Sequence, residues 1–282
     1  GEERTKALNE ARQKQWRNKC VSDTYYPGSV FKMVTASMGL EEGIISENTS
    51  FSCPGYYVVA DRRISCWKSG GHGSETFAQG LCNSCNPVFI QVGEKLGPET
   101  FFKYFEAFGF TQKTGIDLPG ESRSIYYDET MGPVELATES FGQNFSITPI
   151  QMITAAAAVA NGGYLVQPHV VAQVIDDEGN IVRTTDTTVK RQVISNETSR
   201  RVSAMLQETA TTGTAKNGYI AGYRVAGKTG TSEKIAEWVA QGKQGEKKYI
   251  ASYCGYAPAD DPQVAMLVFF DEPLPQGGQV FG

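Results

Sequence analysis

The sequence predicts an α+β fold: an antiparallel sheet covered by helices, with a helical lobe beside it. Three observations carry this. Residues 223–231, 249–256 and 264–270 read as strands, and Ala259-Asp260-Asp261-Pro262 supplies the turn between the last two. Strands joined by a short connection pair antiparallel. The middle of the chain is helical, with the Ala-rich run 154–160 as a buried helix. A chain of 282 residues, 40% hydrophobic and with a net charge of −5, is long enough for one sizeable core. We therefore expect one domain over 1–282, with 44–83 as an irregular excursion inside it.

Each element follows from local chemistry. The opening, Gly1 to Asn18, is rich in charge, Gln and Arg, and reads like the interior of a longer protein. Residues 29–43 predict a helix ended by Gly43. Residues 44–83 are rich in Gly, Ser and aromatics with no sustained period. Ser84-Cys85-Asn86-Pro87 leads into a buried helix at 88–92, and Pro98-Glu99 opens another, closed by Gly109. Thr148-Pro149-Ile150-Gln151 is a helix start with Thr at the cap, Pro in the first turn and Gln three residues on; that helix runs to Gly162-Gly163. Residues 164–194 alternate loosely and read as short strands and turns. Thr198 to Thr209 is an amphipathic helix, and the strands follow.

Composition narrows the function. No basic run or excess of Lys and Arg suggests nucleic acid as a partner. The longest apolar run, Val264 to Phe270, is far too short to span a bilayer, and the opening stretch does not read as a signal peptide, which says little about the native protein.

Three short motifs carry chemistry. In Pro27-Gly28-Ser29-Val30-Phe31-Lys32, Ser29 and Lys32 are three residues apart, on one face if a helix begins there. A serine hydroxyl is a poor nucleophile until a neighbour takes its proton, and a buried lysine with a lowered pKa can do so. A helix N-terminus adds N–H donors where an oxyanion could form. Ser84 and Asn86 offer a hydroxyl that can shuttle a proton and an amide that can hold a carbonyl. Lys228-Thr229-Gly230-Thr231 lies on an expected strand, where the glycine allows close backbone approach. An extended peptide could add to that edge, its carboxylate held by the lysine and threonine. Each motif alone has a bland reading: a solvated helix start, a loop turn, an edge strand guarded by its lysine.

Four of the six cysteines fall between Cys53 and Cys85, with His72 among them; Cys20 and Cys254 lie outside. Cys53, Cys66, His72 and Cys85 are spaced 13, 6 and 13 residues apart. Three thiolates and an imidazole form a closed tetrahedral zinc set of the structural kind. Cys85 is preferred to Cys82 as fourth ligand because, between Ser84 and Asn86, it faces away from the substrate. A Cys82–Cys85 redox pair and buried free thiols are the rival readings.

Together the motifs resemble a known family. Ser-x-x-Lys, Ser-x-Asn and Lys-Thr-Gly in that order are the signature of penicillin-binding proteins and class A β-lactamases. Tyr26-Pro27-Gly28-Ser29-Val30-Phe31-Lys32, Ser140-Phe141-Gly142-Gln143, Thr148-Pro149, Ala160-Asn161-Gly162-Gly163 and Val225 to Thr231 are similar to the transpeptidase domain of class B penicillin-binding proteins. Arg62 to Trp67 and Gly71-His72-Gly73 look most like a sporulation-specific branch of that family and its vegetative relatives.

The resemblance implies the penicillin-binding fold and a serine D,D-transpeptidase. Ser29 would attack the penultimate D-Ala carbonyl of a peptidoglycan stem peptide and Lys32 would take its proton. The N–H groups of Ser29 and Thr231 would form the oxyanion hole. Ser84 would pass a proton to the departing D-Ala, and β-lactam antibiotics would acylate Ser29 and stay. It further implies an extracytoplasmic site on a bacterial membrane, an N-terminal anchoring helix outside this sequence and a membrane glycosyltransferase as partner. Some class B members are also similar at the zinc set. The family usually has two strands before Ser29 and a helix after the last strand, whereas this chain stops at Val280-Phe281-Gly282, so a domain trimmed at both ends is expected. A β-lactamase, a β-lactam sensor and a zinc-stabilised binding module are the alternatives. No class A Glu-x-x-x-Asn pattern stands out; residues 121–135 contain Glu121, Glu129 and Glu135, but in no distinctive loop context.

Overall fold

The structure is a computed structural model that describes residues 1–240, 242–243 and 247–274. The expectation for the end of the chain, at 275–282, lies outside the described residues. Two helices open the chain, α1 (Glu2–Trp16) and α2 (Lys19–Ser22). No residue of α1 is buried, as its polar sequence dictates. A single 3₁₀ turn, Gly28–Phe31, then leads directly into α3 (Lys32–Glu41). The helix expected at 29–43 is therefore present, with its first turn wound more tightly.

Residues 44–83 are more ordered than their composition predicts. β1 (Ser50–Cys53) pairs antiparallel with β4 (Gly73–Thr76), and between them β2 (Tyr56–Val59) and β3 (Arg62–Ser65) form a second hairpin. Each strand has only four residues, too few for a period to show. The short α4 (Phe77–Cys82) follows, opened by a capping box in which Thr76 and Gln79 satisfy each other's backbone N–H groups.

The helical lobe holds α5 (Asn86–Ala107), α6 (Pro133–Glu139) and α7 (Pro149–Ala160). α5 joins the two helices expected from the sequence across a kink at Gly97, whose φ of 73° suits glycine, just before Pro98. α6 is a seven-residue helix started by Pro133 that the sequence reading did not contain. α7 begins with the expected box between Thr148 and Gln151. Residues 164–194 form two small ribbons, β5 (Tyr164–Gln167) with β8 (Thr188–Gln192), and β6 (Gln173–Ile175) with β7 (Ile181–Thr184).

The amphipathic helix is α8 (Asn196–Thr211), capped by Ser195. The main sheet has the order β11-β10-β9, built from β9 (Ala226–Glu233), β10 (Tyr249–Ala257) and β11 (Val264–Asp271), with α9 (Ile235–Ala240) between the first two. All neighbours are antiparallel, as expected. α8 packs on β9, and α7 on β10 and β11. α3 runs through the centre, against α5, α7 and α8. An aromatic cluster fixes its start: the Phe31 ring lies 4.8 Å from that of Phe145, 5.4 Å from Phe110 and 6.2 Å from both Phe101 and Phe105. No helix among the described residues is long and apolar enough to cross a membrane.

Candidate active site

Ser29 sits in the 3₁₀ turn, half-buried, between fully buried neighbours that anchor it. Gly28 takes φ 59°, its N–H donates to Gly142 O, and a Cβ there would come within 2.9 Å of Thr231 O. From the other side, a Cβ on Gly230 would meet Pro27 O and Val30 Cγ1, both at 3.0 Å. Glycine on both surfaces lets β9 press against the turn that carries Ser29. The outer edge of β9 has no strand partner among the described residues, so an extended peptide has backbone groups to pair with.

Lys32 is completely buried at the start of α3. Its Nζ donates to Ser84 O at 2.8 Å, Ser84 Oγ at 3.3 Å and Asn86 Oδ1 at 2.7 Å. The Phe89 ring lies 5.2 Å away and Phe141 6.0 Å away. Burial lowers its pKa to about 7, and Cys85, Cys66 and Glu75 oppose the shift only in part. Near neutral pH it can therefore accept a proton, which an exposed lysine cannot.

Ser84 follows α4. Its N–H donates to Leu81 O and the Cys85 N–H to Gly80 O, a paired helix end that places Ser84 where glycine normally stands. Its φ is 54°, left-handed, a conformation that costs a residue with a Cβ roughly 1–2 kcal/mol. Asn86 is the first residue of α5.

Lys228 is expected from the sequence to hold a substrate carboxylate, and the structure gives it further partners. In the structure it is completely buried, and its Nζ donates to Ser84 Oγ at 2.8 Å and to Thr229 O at 3.1 Å. Burial first, and Lys32 second, push its pKa well down. The lysine emerges from a strand that faces the helical lobe, so its side chain reaches inward to the Ser84 hydroxyl. Two lysines thus share one hydroxyl. Thr229 and Thr231 remain half-buried on either side of Gly230.

A second cluster lies behind Ser84. Cys53 Sγ, Cys66 Sγ, a ring nitrogen of His72 and Cys85 Sγ all lie within 4.8 Å of one another. His72 Nδ1 is 3.4 Å from Cys66 Sγ and 3.8 Å from Cys53 Sγ. Tetrahedral donors at usual zinc distances sit roughly 3.5–3.8 Å apart, so the spacing and chemistry of the set fit that ion. The hydrogen bond with Cys85 drives Cys66 down to about 5, while Cys66 and burial drive Cys85 up. Cys82 is outside the set; its Sγ accepts from Thr209 Oγ1 at 3.5 Å. One residue beside the cluster was missed in the sequence: Glu75, buried, with Oε1 3.8 Å from His72 Nδ1. Its only sequence signal is its place three residues after His72.

The comparisons with known proteins agree with this geometry. The family model for the penicillin binding protein transpeptidase domain matches residues 2–281. Stage V sporulation protein D of Bacillus subtilis is 44% identical over 260 residues, 91% of this chain and 40% of that protein. The peptidoglycan D,D-transpeptidase MrdA of Acinetobacter baumannii is 30% identical over 274 residues, 90% of this chain and 40% of that protein. The chain thus spans about two fifths of the length of these relatives. Among solved structures, the D,D-transpeptidase domain of a peptidoglycan glycosyltransferase from Eggerthella lenta superposes with a TM-score of 0.84 at 27% identity, over 96% of this chain and 67% of that one. Penicillin-binding protein 3 of Mycobacterium tuberculosis in complex with aztreonam gives 0.82 at 27%, over 94% and 60%. With the three motifs gathered around one buried pair of lysines and the match running almost end to end, this chain belongs to the penicillin-binding protein transpeptidase domain family.

Proposed function

We propose that the chain is a serine D,D-transpeptidase domain that cross-links peptidoglycan stem peptides through an acyl-enzyme on Ser29. The observation that carries this reading is the convergence on Ser84 Oγ of Lys32, which follows the turn of Ser29, and Lys228. Lys32, neutral, takes the Ser29 proton as Oγ bonds to the penultimate D-Ala carbonyl carbon. The N–H groups of Ser29 and Thr231 receive the oxyanion. As the carbonyl–nitrogen bond breaks, Ser84 gives its proton to the departing D-Ala amine and regains one from Lys32, with Lys228 holding the relay hydroxyl in place. An amine from a second stem peptide then displaces Ser29 and returns the proton to it. Asn86 fixes Lys32. Thr229, Gly230 and Thr231 seat the substrate along the β9 edge and bind its carboxylate, with the buried Lys228 amine beneath them bonded to Ser84 Oγ and Thr229 O.

Cys53, Cys66, His72 and Cys85 would hold zinc as a structural ion. Bound there, it would supply no chemistry to acyl transfer but would fix the backbone of Cys85 between Ser84 and Asn86. β-Lactams are substrate mimics for the same serine, as the aztreonam and ampicillin complexes of the Mycobacterium tuberculosis relative support. In a longer protein, an N-terminal membrane anchor, an extracytoplasmic location and a glycosyltransferase partner are consistent with this role. The sporulation-specific relative is the most informative guide to the cell stage.

The test is covalent labelling. A fluorescent penicillin should modify Ser29, located by peptide mass mapping, and the adduct should persist for many minutes. Ser29→Ala should abolish labelling with the melting temperature unchanged. An adduct on Ser84, or release within seconds as in a β-lactamase, would overturn the assignment.

A further inference from the structure

Ser84 meets Lys32 from a left-handed backbone. With φ at 54°, its carbonyl oxygen and its hydroxyl both accept from Lys32 Nζ. Such conformations persist where the surroundings over-determine them. The surroundings here are specific. Asn83, the residue before Ser84, is held by two side chains of the 44–83 excursion. Its Nδ2 donates to Glu75 Oε2 at 2.9 Å, and its backbone oxygen accepts from Trp67 Nε1 at 2.9 Å. Glu75 is buried; its other oxygen, Oε1, lies 3.8 Å from His72 Nδ1, and its carboxyl also faces the Cys85 thiol. The Trp67 ring packs edge-on against His72, with centroids 5.5 Å apart. A carboxylate buried this deeply, with one oxygen given wholly to an asparagine amide, is costly as mere loop structure. Both clamping residues also touch the same imidazole.

We propose that Glu75 is a positioning residue for the acyl transfer, fixing Asn83 so that Ser84 stays left-handed, with Trp67 clamping the same residue from its backbone side. The proposal rests on Ser84 acting as the proton relay. Glu75 touches neither substrate nor reacting atoms. Its loss lets Ser84 relax, the Ser84 carbonyl leaves Lys32, and proton transfer suffers while substrate binding along β9 does not.

The experiment compares Glu75→Ala, Glu75→Gln, Asn83→Ala and Trp67→Phe in the zinc-supplemented protein. Stopped-flow reaction with a fluorescent penicillin separates the non-covalent dissociation constant from the acylation rate constant. Glu75→Ala and Asn83→Ala should each slow acylation about tenfold or more without changing the dissociation constant, since misplacement by about 1 Å can cost a hundredfold. The double variant should be no slower than either single one. Glu75→Gln, which keeps an oxygen for the Asn83 amide, should acylate within about threefold of the parent, as expected when the retained hydrogen bond carries the effect. Trp67→Phe, which keeps the ring but not the N–H, should slow acylation by a lesser factor. Crystal structures of the Ala variants should show Ser84 out of the left-handed region. Ser84 unmoved in those crystals, single losses that multiply, or a penalty on the dissociation constant alone would each overturn the proposal. The crystal structures test the hold of Glu75 on Ser84 independently of labelling; failure to label Ser29 would count against the transpeptidase reading itself.

Discussion

The molecule holds the two hydroxyls of the proposed acyl transfer, Ser29 and Ser84, in opposite ways. Ser29 stands in the 3₁₀ turn that leads into α3, a helix with nine of its ten residues buried, and that turn is pinned by Val30 and Phe31 in the core. That is packing in a relaxed backbone, stabilised by apolar burial at about 25 cal/mol per Å². Ser84 stands at the end of a six-residue helix, in a strained backbone, held by hydrogen bonds and by the thiol cluster behind it. The proposed nucleophile is fixed by the core, whereas the proposed relay is fixed by an excursion whose order rests on polar contacts. The difference teaches where the site is robust and where it can be disturbed without unfolding the domain.

The largest expected effect probes the rigid side. Lys32→Ala should slow penicillin acylation by at least about a hundredfold, the usual cost of losing a proton acceptor. In the parent, the protonated form of Lys32 is inactive as a base and its pKa is about 7. The acylation rate should therefore fall about tenfold per pH unit below that value and level off above it. A rate flat from pH 5 to 8 would remove Lys32 from the role of base. Lys228→Ala should slow acylation as well as weaken binding, because its Nζ is bonded to Ser84 Oγ.

The next effect is smaller and strikes the strained side. Purified protein should carry about one zinc per chain. Removing it with a chelator, or by Cys85→Ser, should lower acylation roughly tenfold, in line with the 10–100-fold cost of disturbing supporting shells. The melting temperature should fall by several degrees. Protein with no zinc, or chelation that leaves both quantities unchanged, would mean that the thiols are packing residues only.

The smallest effect separates the two serines by sign. Ser84→Gly and Ser84→Ala both lose the hydroxyl, but only glycine accepts φ 54° without strain. The glycine variant should be more stable by about 1 kcal/mol in urea unfolding. At Ser29 the order should reverse, with alanine favoured by up to about 1 kcal/mol, because the backbone there is helical. The same order at both positions would erase the contrast drawn here.

Legibility in the sequence follows the same division. The Ser29–Lys32 pair, the capping box at Thr148 and the three sheet strands are local patterns, and each was readable. The Cys53, Cys66, His72 and Cys85 set was readable from residue type and spacing. What the sequence hid depends on contacts across the chain. Nothing in Asn83-Ser84-Cys85 announces a left-handed serine, because that conformation is imposed by the end of α4 and by Glu75 and Trp67. The sequence assigns Lys228 a carboxylate to hold, but its burial and its bond to Ser84 Oγ depend on how β9 packs against the helical lobe. The strands of 44–83 escaped because β1 finds its partner beyond an intervening hairpin, and four residues give no period to recognise. α6 was hidden for a similar reason: seven residues after Gly132-Pro133 resemble a turn.

The relay joins parts of the chain that lie far apart in sequence: Lys32 meets Ser84 across 52 residues, and Ser84 meets Lys228 across 144. Long-range closures of this kind form late during folding. A half-folded chain has Ser29 and Lys32 adjacent on one helix yet lacks the hydroxyl and the strand that make them reactive. Penicillin reactivity is therefore a clock for completed folding. Pulses of a fluorescent penicillin during refolding should leave the earliest intermediates dark even after α3 has formed, and light them only when β9 docks.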